Sequence, residues 1–516
     1  MAFWRKTSLR RSQVRRNIPT ERFTQLRRFA DVKLLISAGI WLIFVILCIT
    51  ILSYQRSLVP TALIVILVSL SAAMYIYSYQ RRIITNHART SVLGGLFVVL
   101  LAATKASVLL PERHTFWATA TAVAVAIILT ITYNQRFAIG MSLFYCLLAC
   151  LAVGPVSGGK YQLTSMNLLL TMIAAVYTCC LYLKEIRTRM KLLKVSTLSA
   201  VVVFVTAVSA AYTDFSAENP GTADIFSNAG YHSGATFLVG LLIQSLLPLI
   251  EKIFRVATSM TLLDYSDANQ PLLKRLAMEA PGTFSHSLLI GSISEAGAEA
   301  IGRNGLLCRV GAYYHDIGKI NKPGYFVENE MGSTSRHKEL SPAMSHLIIV
   351  GHVKDGIEMA KEYGLPGVLR QFIETHHGTT LVEHFYNEAK KQKTQNSKSK
   401  TDDAPSESEF RYPGPKPRTK EAAIVMLADA VEGAVRSLPE VTAPRIEAVV
   451  HNMAMRRLQD GQFDECELSL RELSQIEASI SKTLAVHYHS RIAYPKAPDL
   501  LKDMQPQSQQ AEQRDD

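Results

Sequence analysis

Cysteine is scarce in this chain, with seven in 516 residues at positions 48, 146, 150, 179, 180, 308 and 466. Most sit inside apolar runs and none has metal-type spacing, which excludes a disulfide framework and a zinc knuckle and predicts reduced thiols. Strand signals are also missing. No stretch alternates apolar and polar residues as strongly as the helical patterns repeat, so the fold is expected to be all-α. Charge is rare across roughly the first half, where long uncharged runs dominate, and 11 of the 14 histidines lie at or after His286. A cleavable signal peptide is excluded as well: the first apolar run is too long for one and no small-residue cleavage site follows it.

What is present in the first half is a series of apolar segments near 33–53, 58–79, 91–110, 114–133, 137–156, 165–183, 195–213 and 233–253. Each approaches the ~20 residues that a helix needs to cross the hydrocarbon core. The formal charge of +12 does not point to DNA, because Arg5, Lys6, Arg10, Arg11, Arg15, Arg16, Arg22, Arg27 and Arg28 all precede the first segment, where cytoplasmic juxtamembrane charge belongs. The partner implied is the lipid bilayer. Placing the N-terminus inside puts Arg81, Arg82, Arg89, Arg136, Lys184, Arg187, Arg189, Lys191 and Lys194 in cytoplasmic loops. The opposite loops keep only Arg56, Arg113 and Lys160, and the 214–232 loop has Asp214, Glu218 and Asp224 without Lys or Arg. Both termini are therefore expected in the cytoplasm. Lys105 is expected to snorkel from a helix end, so anchoring or sensing is favoured over transport.

The second half carries the chemistry. His315-Asp316 interrupts an apolar run that Gly318 then ends, and an imidazole beside a carboxylate able to bridge two ions forms the nucleus of a metal site. Further polar residues stand in separate apolar helices: His286 in the first turn of a helix through Ile301, His352 in a helix from Ser341, His376-His377 at the end of a helix from Leu369, and Asp429 in a helix from Thr419. Buried ionisable groups must be paired or metal-bound, and one two-metal site satisfies the whole set.

The pattern His286, His315-Asp316-Ile-Gly-Lys319, His352, His376-His377-Gly and Asp429 resembles the HD superfamily of metal phosphohydrolases in its HDIG branch. The surrounding Ala-Tyr-Tyr-His-Asp-Ile-Gly-Lys, Gly-His-Val-Lys-Asp-Gly, Glu-Thr-His-His-Gly-Thr-Thr-Leu-Val and Arg411-Tyr-Pro-Gly-Pro-Lys-Pro are similar to the seven-transmembrane-receptor HD proteins. The resemblance implies one metal on His286, His315, Asp316 and Asp429. It implies a second on Asp316, His352 and His376 or His377, with His376 favoured and His377 either ligating or facing substrate. Two divalent transition metal ions, Mn or Fe, suit such a donor set. They would activate a water and clamp a phosphodiester, with Asp316 as the bridge and Lys319 neutralising a phosphate oxygen. The substrate implied is cyclic di-AMP, opened to linear pApA; which residues bind it is not legible. A cyclic di-GMP specificity is disfavoured, because no Gly-Tyr-Pro follows the His-His pair. The rivals are an HD hydrolase of another phosphate ester, such as a nucleotide, and a nucleotide-binding membrane receptor with little turnover.

The plan expected from these signals begins with a basic segment over 1–32, a transmembrane region of about eight helices, one plus seven, over 33–255, and a juxtamembrane coupling helix over 256–282. An HD phosphohydrolase domain follows over 283–495 with a disordered insertion near 389–410, then a disordered tail over 496–516. Better-known family members carry an extracellular domain after the first membrane helix, whereas here only Ser53 to Ser57 separate the first two segments. The location implied is the bacterial inner membrane, with a homodimer through the membrane half as a further expectation.

Overall fold

The computed structural model describes residues 20–54, 56–84, 86–109, 115–154, 165–183, 188–213, 221–330, 335–396 and 405–489. They fall into two units, Met1–Thr261 and Leu262–Asp516.

The first unit contains α1 (Thr20–Ser53), α2 (Leu58–Tyr79), α3 (His87–Leu109), α4 (Phe116–Thr132), α5 (Gln135–Val153), α6 (Ser165–Tyr182), α7 (Arg189–Tyr212) and α8 (Thr222–Phe254). All eight expected segments are helical. Among the described residues six helices are long and apolar enough to cross a membrane, while Phe116–Thr132 and Met166–Tyr182 are shorter apolar helices. Two boundaries differ from expectation. Helix α1 starts at Thr20, so the basic stretch expected to stand outside the first helix runs into it, and residues 1–19 lie outside the described residues. Helix α8 starts at Thr222 and takes up much of the 214–232 loop.

Short side chains explain why α4 occupies the centre. Every residue from Ala118 to Thr130 is buried, and small Ala and Thr residues let neighbouring backbones approach closely. The Thr hydroxyls then bond across helices: Thr121 Oγ1 lies 2.8 Å from Thr104 Oγ1 on α3, and Thr119 Oγ1 lies 2.8 Å from the buried His232 Nδ1 on α8. Lys105 is buried rather than snorkelling. The outer helices instead expose Leu35, Leu42, Leu63 and Leu67, a pattern suited to lipid rather than water.

Helix α8 ends at Arg255 in the left-handed region, φ 53°. Glu251 Oε1 there accepts from the Thr258 backbone N–H at 2.7 Å and the Thr261 hydroxyl at 2.8 Å. The single coupling helix expected over 256–282 is divided into α9 (Ser259–Tyr265) and α10 (Pro271–Glu279). The break is local: the Asp267 carboxylate accepts from the Asn269 backbone N–H at 2.9 Å, a turn that competes with helix.

The second unit is also helical, with α11 (Pro281–Ala300), α12 (Gly305–Tyr314), α13 (Pro342–Glu362), α14 (Gly367–Thr375), α15 (Glu383–Asn396), α16 (Lys420–Arg436), α17 (Ala443–Gln459) and α18 (Leu470–His489). Helix α16 runs through its middle. Ala422 to Ala428 are all buried, packing with Ile290 and Ile293 of α11, Ile446 and Val450 of α17, and Ile476 and Ile480 of α18. Among the described residues the one β-type pairing is an isolated bridge between Leu381 and Arg411.

The insertion expected to be disordered near 389–410 is ordered at both ends. Its first part continues α15 to Asn396, and Phe410 at its far end is buried, with its ring centroid 5.2 Å from that of His346. Burial of Phe410 and Tyr412 anchors the return of the chain, which composition alone did not reveal. The middle of the insertion, 397–404, and the tail expected over 496–516 lie outside the described residues.

Candidate metal centre

Five separate pieces of chain bring polar side chains to one place beneath α16. Thr283 and His286 lie in the first turns of α11. His315 and Asp316 follow the last residue of α12, and a short 3-10 turn, Ile317–Asn321, continues from them. Helix α12 thus ends slightly earlier than its apolar pattern implies. The cause is close packing: a Cβ on Gly318 would run into the carbonyl oxygen of His352, so glycine lets this turn lie directly on α13. That approach sets His352 Nε2 3.3 Å from Asp316 Oδ1. His376 and His377 follow α14, and Asp429 projects from α16.

Two overlapping groups result. His286, His315, Asp316 and Asp429 form one, and Asp316, His352, His376 and His377 form the other, each with its ligand-type atoms within 4.8 Å of one another. Asp316 is the residue they share. One carboxyl oxygen, Oδ2, faces His315 Nε2 at 3.2 Å and His286 Nε2 at 3.8 Å; the other, Oδ1, faces His352 Nε2 and His376 Nε2 at 3.3 and 3.4 Å.

The outer ring nitrogens fix the direction of the inner ones. The Nδ1–H groups of His315, His352 and His376 donate to the backbone carbonyls of Ala312, Ile349 and Ile373 at 2.6, 2.5 and 3.0 Å. His286 Nδ1–H donates to Glu432 Oε2 at 2.8 Å. All four Nε2 atoms are left pointing inward, the arrangement that metal-ligating imidazoles show. His377 differs. Its Nδ1 lies 3.7 Å from Asp429 Oδ2, and its ring stacks on Tyr412 with centroids 4.3 Å apart.

The donors fit divalent ions. His315 Nε2 and Asp316 Oδ1 are buried without a hydrogen-bond partner, a cost that polar groups bear when another ligand is meant to satisfy them. Burial alone would lower the His315 pKa, but Asp316 and Asp429 raise it to about 10. Burial would likewise raise the Asp316 pKa, yet His315 and Lys319 hold its carboxyl well below the usual carboxylate range. For His376, burial dominates and lowers the pKa, keeping the ring neutral. Deprotonated carboxylates and neutral imidazoles are the species that bind such metals.

Lys319 is not a surface lysine. Its ammonium is buried, 2.7 Å from both Asp316 Oδ2 and Glu328 Oε1, and Glu328 also accepts from the Thr283 hydroxyl at 3.1 Å. Its nearest role is to hold the shared carboxylate. Glu328, Glu432, Tyr412 and Arg457 carried no assigned role in the sequence. Glu432 was the accessible one, since it stands one helical turn after Asp429 and shares its face.

A "Cyclic-di-AMP phosphodiesterase PgpH" of Bacillus subtilis is 38% identical over 376 residues, covering 73% of this chain and 51% of the relative. Its Listeria monocytogenes counterpart is 41% identical over 263 residues, covering 51% of this chain and 35% of that protein. The chain therefore spans about half or less of the length of these curated relatives. The solved HD domain of the Listeria phosphodiesterase PgpH is 42% identical, a match covering 43% of this chain and 100% of that one at a TM-score of 0.40. Residues 55–258 match the model for a 7TM receptor with intracellular HD hydrolase and residues 283–434 that for an HD domain, and the chain belongs to this family of membrane proteins with an HD domain.

Proposed function

We propose that this chain is a membrane-anchored, metal-dependent phosphodiesterase that opens cyclic di-AMP to linear pApA. The observation that carries the proposal is the pair of four-residue clusters joined at Asp316. The activity and substrate come from the relatives that share its sequence, both described as cyclic-di-AMP phosphodiesterases.

His286, His315, Asp316 and Asp429 would hold one ion, and Asp316, His352 and His376 the other, with His377 ligating or facing substrate. When bound, a pair of divalent ions supplies Lewis-acid charge to a phosphodiester and an acidified water as nucleophile. Mn or Fe suits the mixed imidazole and carboxylate set. Asp316 sets the spacing of the two positions, and Lys319 with Glu328 behind it keeps that carboxylate deprotonated and oriented. The stacked His377 and Tyr412 rings form an aromatic wall beside the centre.

The Lys and Arg distribution supports a cytoplasmic placement for both termini and for the metal centre, in the inner membrane of a bacterium. A nucleotide messenger would be met on that side. The test is to purify the full chain in detergent, load it with Mn or Fe, and follow cyclic di-AMP and cyclic di-GMP by chromatography. Conversion of cyclic di-AMP to pApA is the expected result; binding without turnover with either metal would contradict the proposal and support a receptor.

A further inference from the structure

Ile446, Val450 and Ala454 are the buried residues of α17, and Arg457 is the next position on the same face. An apolar stripe thus ends in a guanidinium. The buried Nε of Arg457 has no hydrogen-bond partner, and among the described residues its guanidinium makes no ion pair. Nearby acids are already engaged: Arg411 holds Asp460 at 3.0 Å, and Arg456 pairs with Glu383. Arg457 is half-buried, and its Nε, shut off from water without a partner, is a donor that an anion would satisfy.

The turn that follows Arg457 is tied to the metal centre. The Arg457 carbonyl accepts from the Gln462 N–H at 2.9 Å, and Gln462 Oε1 accepts from the Thr379 N–H at 2.9 Å, two residues beyond His377. Arg411 donates to the Thr379 carbonyl at 2.9 Å, and its neighbour Tyr412 stacks on His377. Arg457 is close enough for its charge to act on both Asp429 and Tyr412. It differs from Lys319, whose ammonium is neutralised by Asp316 and Glu328. Divalent ions held on the carboxylates would add positive charge that an anion between them and this guanidinium would offset.

We propose that Arg457 binds a phosphate oxygen of the nucleotide substrate, its planar fork taking the phosphate beside the His377 and Tyr412 wall. This rests on the phosphodiesterase function proposed above. The test uses the full chain in detergent with Arg457→Met and Arg457→Lys. Cyclic di-AMP binding is measured by equilibrium dialysis, KM and kcat by chromatography, and metal content by elemental analysis. Loss of one charge-assisted contact weakens binding about 10- to 100-fold. The expected result is that loss in affinity and KM for Arg457→Met, part of it recovered in Arg457→Lys, with metal content and melting temperature unchanged. Arg457→Gln gives the same comparison if the Met variant does not fold. Affinity equal to wild type in the Met or Gln variant, or a loss that only follows lost metal or lost stability, overturns the inference. Wild type that binds cyclic di-AMP without cleaving it contradicts the phosphodiesterase function and leaves the binding comparison in force. Wild type that does not bind it overturns both.

Discussion

His352 Nε2 and His376 Nε2 face each other at 3.1 Å while the Nδ1–H of each ring donates to a backbone carbonyl. The two Nε2 atoms thus converge on one point, an arrangement suited to a cation held between them. His376→Ala is therefore expected to remove the second metal. His377→Ala should keep both ions and lower turnover, since that ring is stacked on Tyr412 and partly exposed. Elemental analysis of the two variants separates them, and loss of an ion in His377→Ala with two retained in His376→Ala would reverse the assignment.

Glu432 acts on the centre without reaching it, through the His286 Nδ1–H bond of 2.8 Å. Replacing such an outer partner costs about 10- to 100-fold in metal affinity or activity. Glu432→Gln is expected to show that loss at the His286 position and little change at the other. Equal metal affinity at both positions, measured by competition with a chelator, would contradict a positioning role.

Metal loading is expected to release protons. Among the groups that face the ions, His315 has a pKa raised to about 10 by its carboxylate neighbours and that of His286 is also raised. The His315 ring is protonated at neutral pH without metal, so ion and proton compete there. Apparent affinity should rise with pH and level off near the raised values. Titration in two buffers of different ionisation enthalpy measures the protons released, and none released at pH 7 would contradict the prediction.

Gly318 is required by the backbone approach to His352. Gly318→Ala forces the turn away from α13, with a cost of about 1–3 kcal/mol for an overpacked site. Activity is expected to fall more than stability, because the displaced turn carries Asp316. Wild-type activity in the alanine variant would contradict the packing argument.

The all-α fold and the seven residues of the two clusters were legible because each polar residue interrupts a long apolar helix, where burial makes an unpaired charge conspicuous. The apolar segments of the first half were legible from their length and their lack of charge, and six of the helices they form are long and apolar enough to cross a membrane. Less visible were features set by a few contacts. The Asp267 turn splits the junction into two helices, Phe410 fixes a segment whose composition reads as solvated, and α4 buries a row of Ala and Thr that hydropathy alone does not place at the centre. Glu328 and Arg457 sit among ordinary surface-type charges in the sequence and become distinct only through the partners they meet or lack.

The central claim, two ions joined through one carboxylate, is tested most directly by metal content per chain in Asp316→Ala beside wild type and His352→Ala. The account predicts two ions in wild type, one in His352→Ala and neither in Asp316→Ala, with all three folded by circular dichroism. Two ions retained in Asp316→Ala would contradict it.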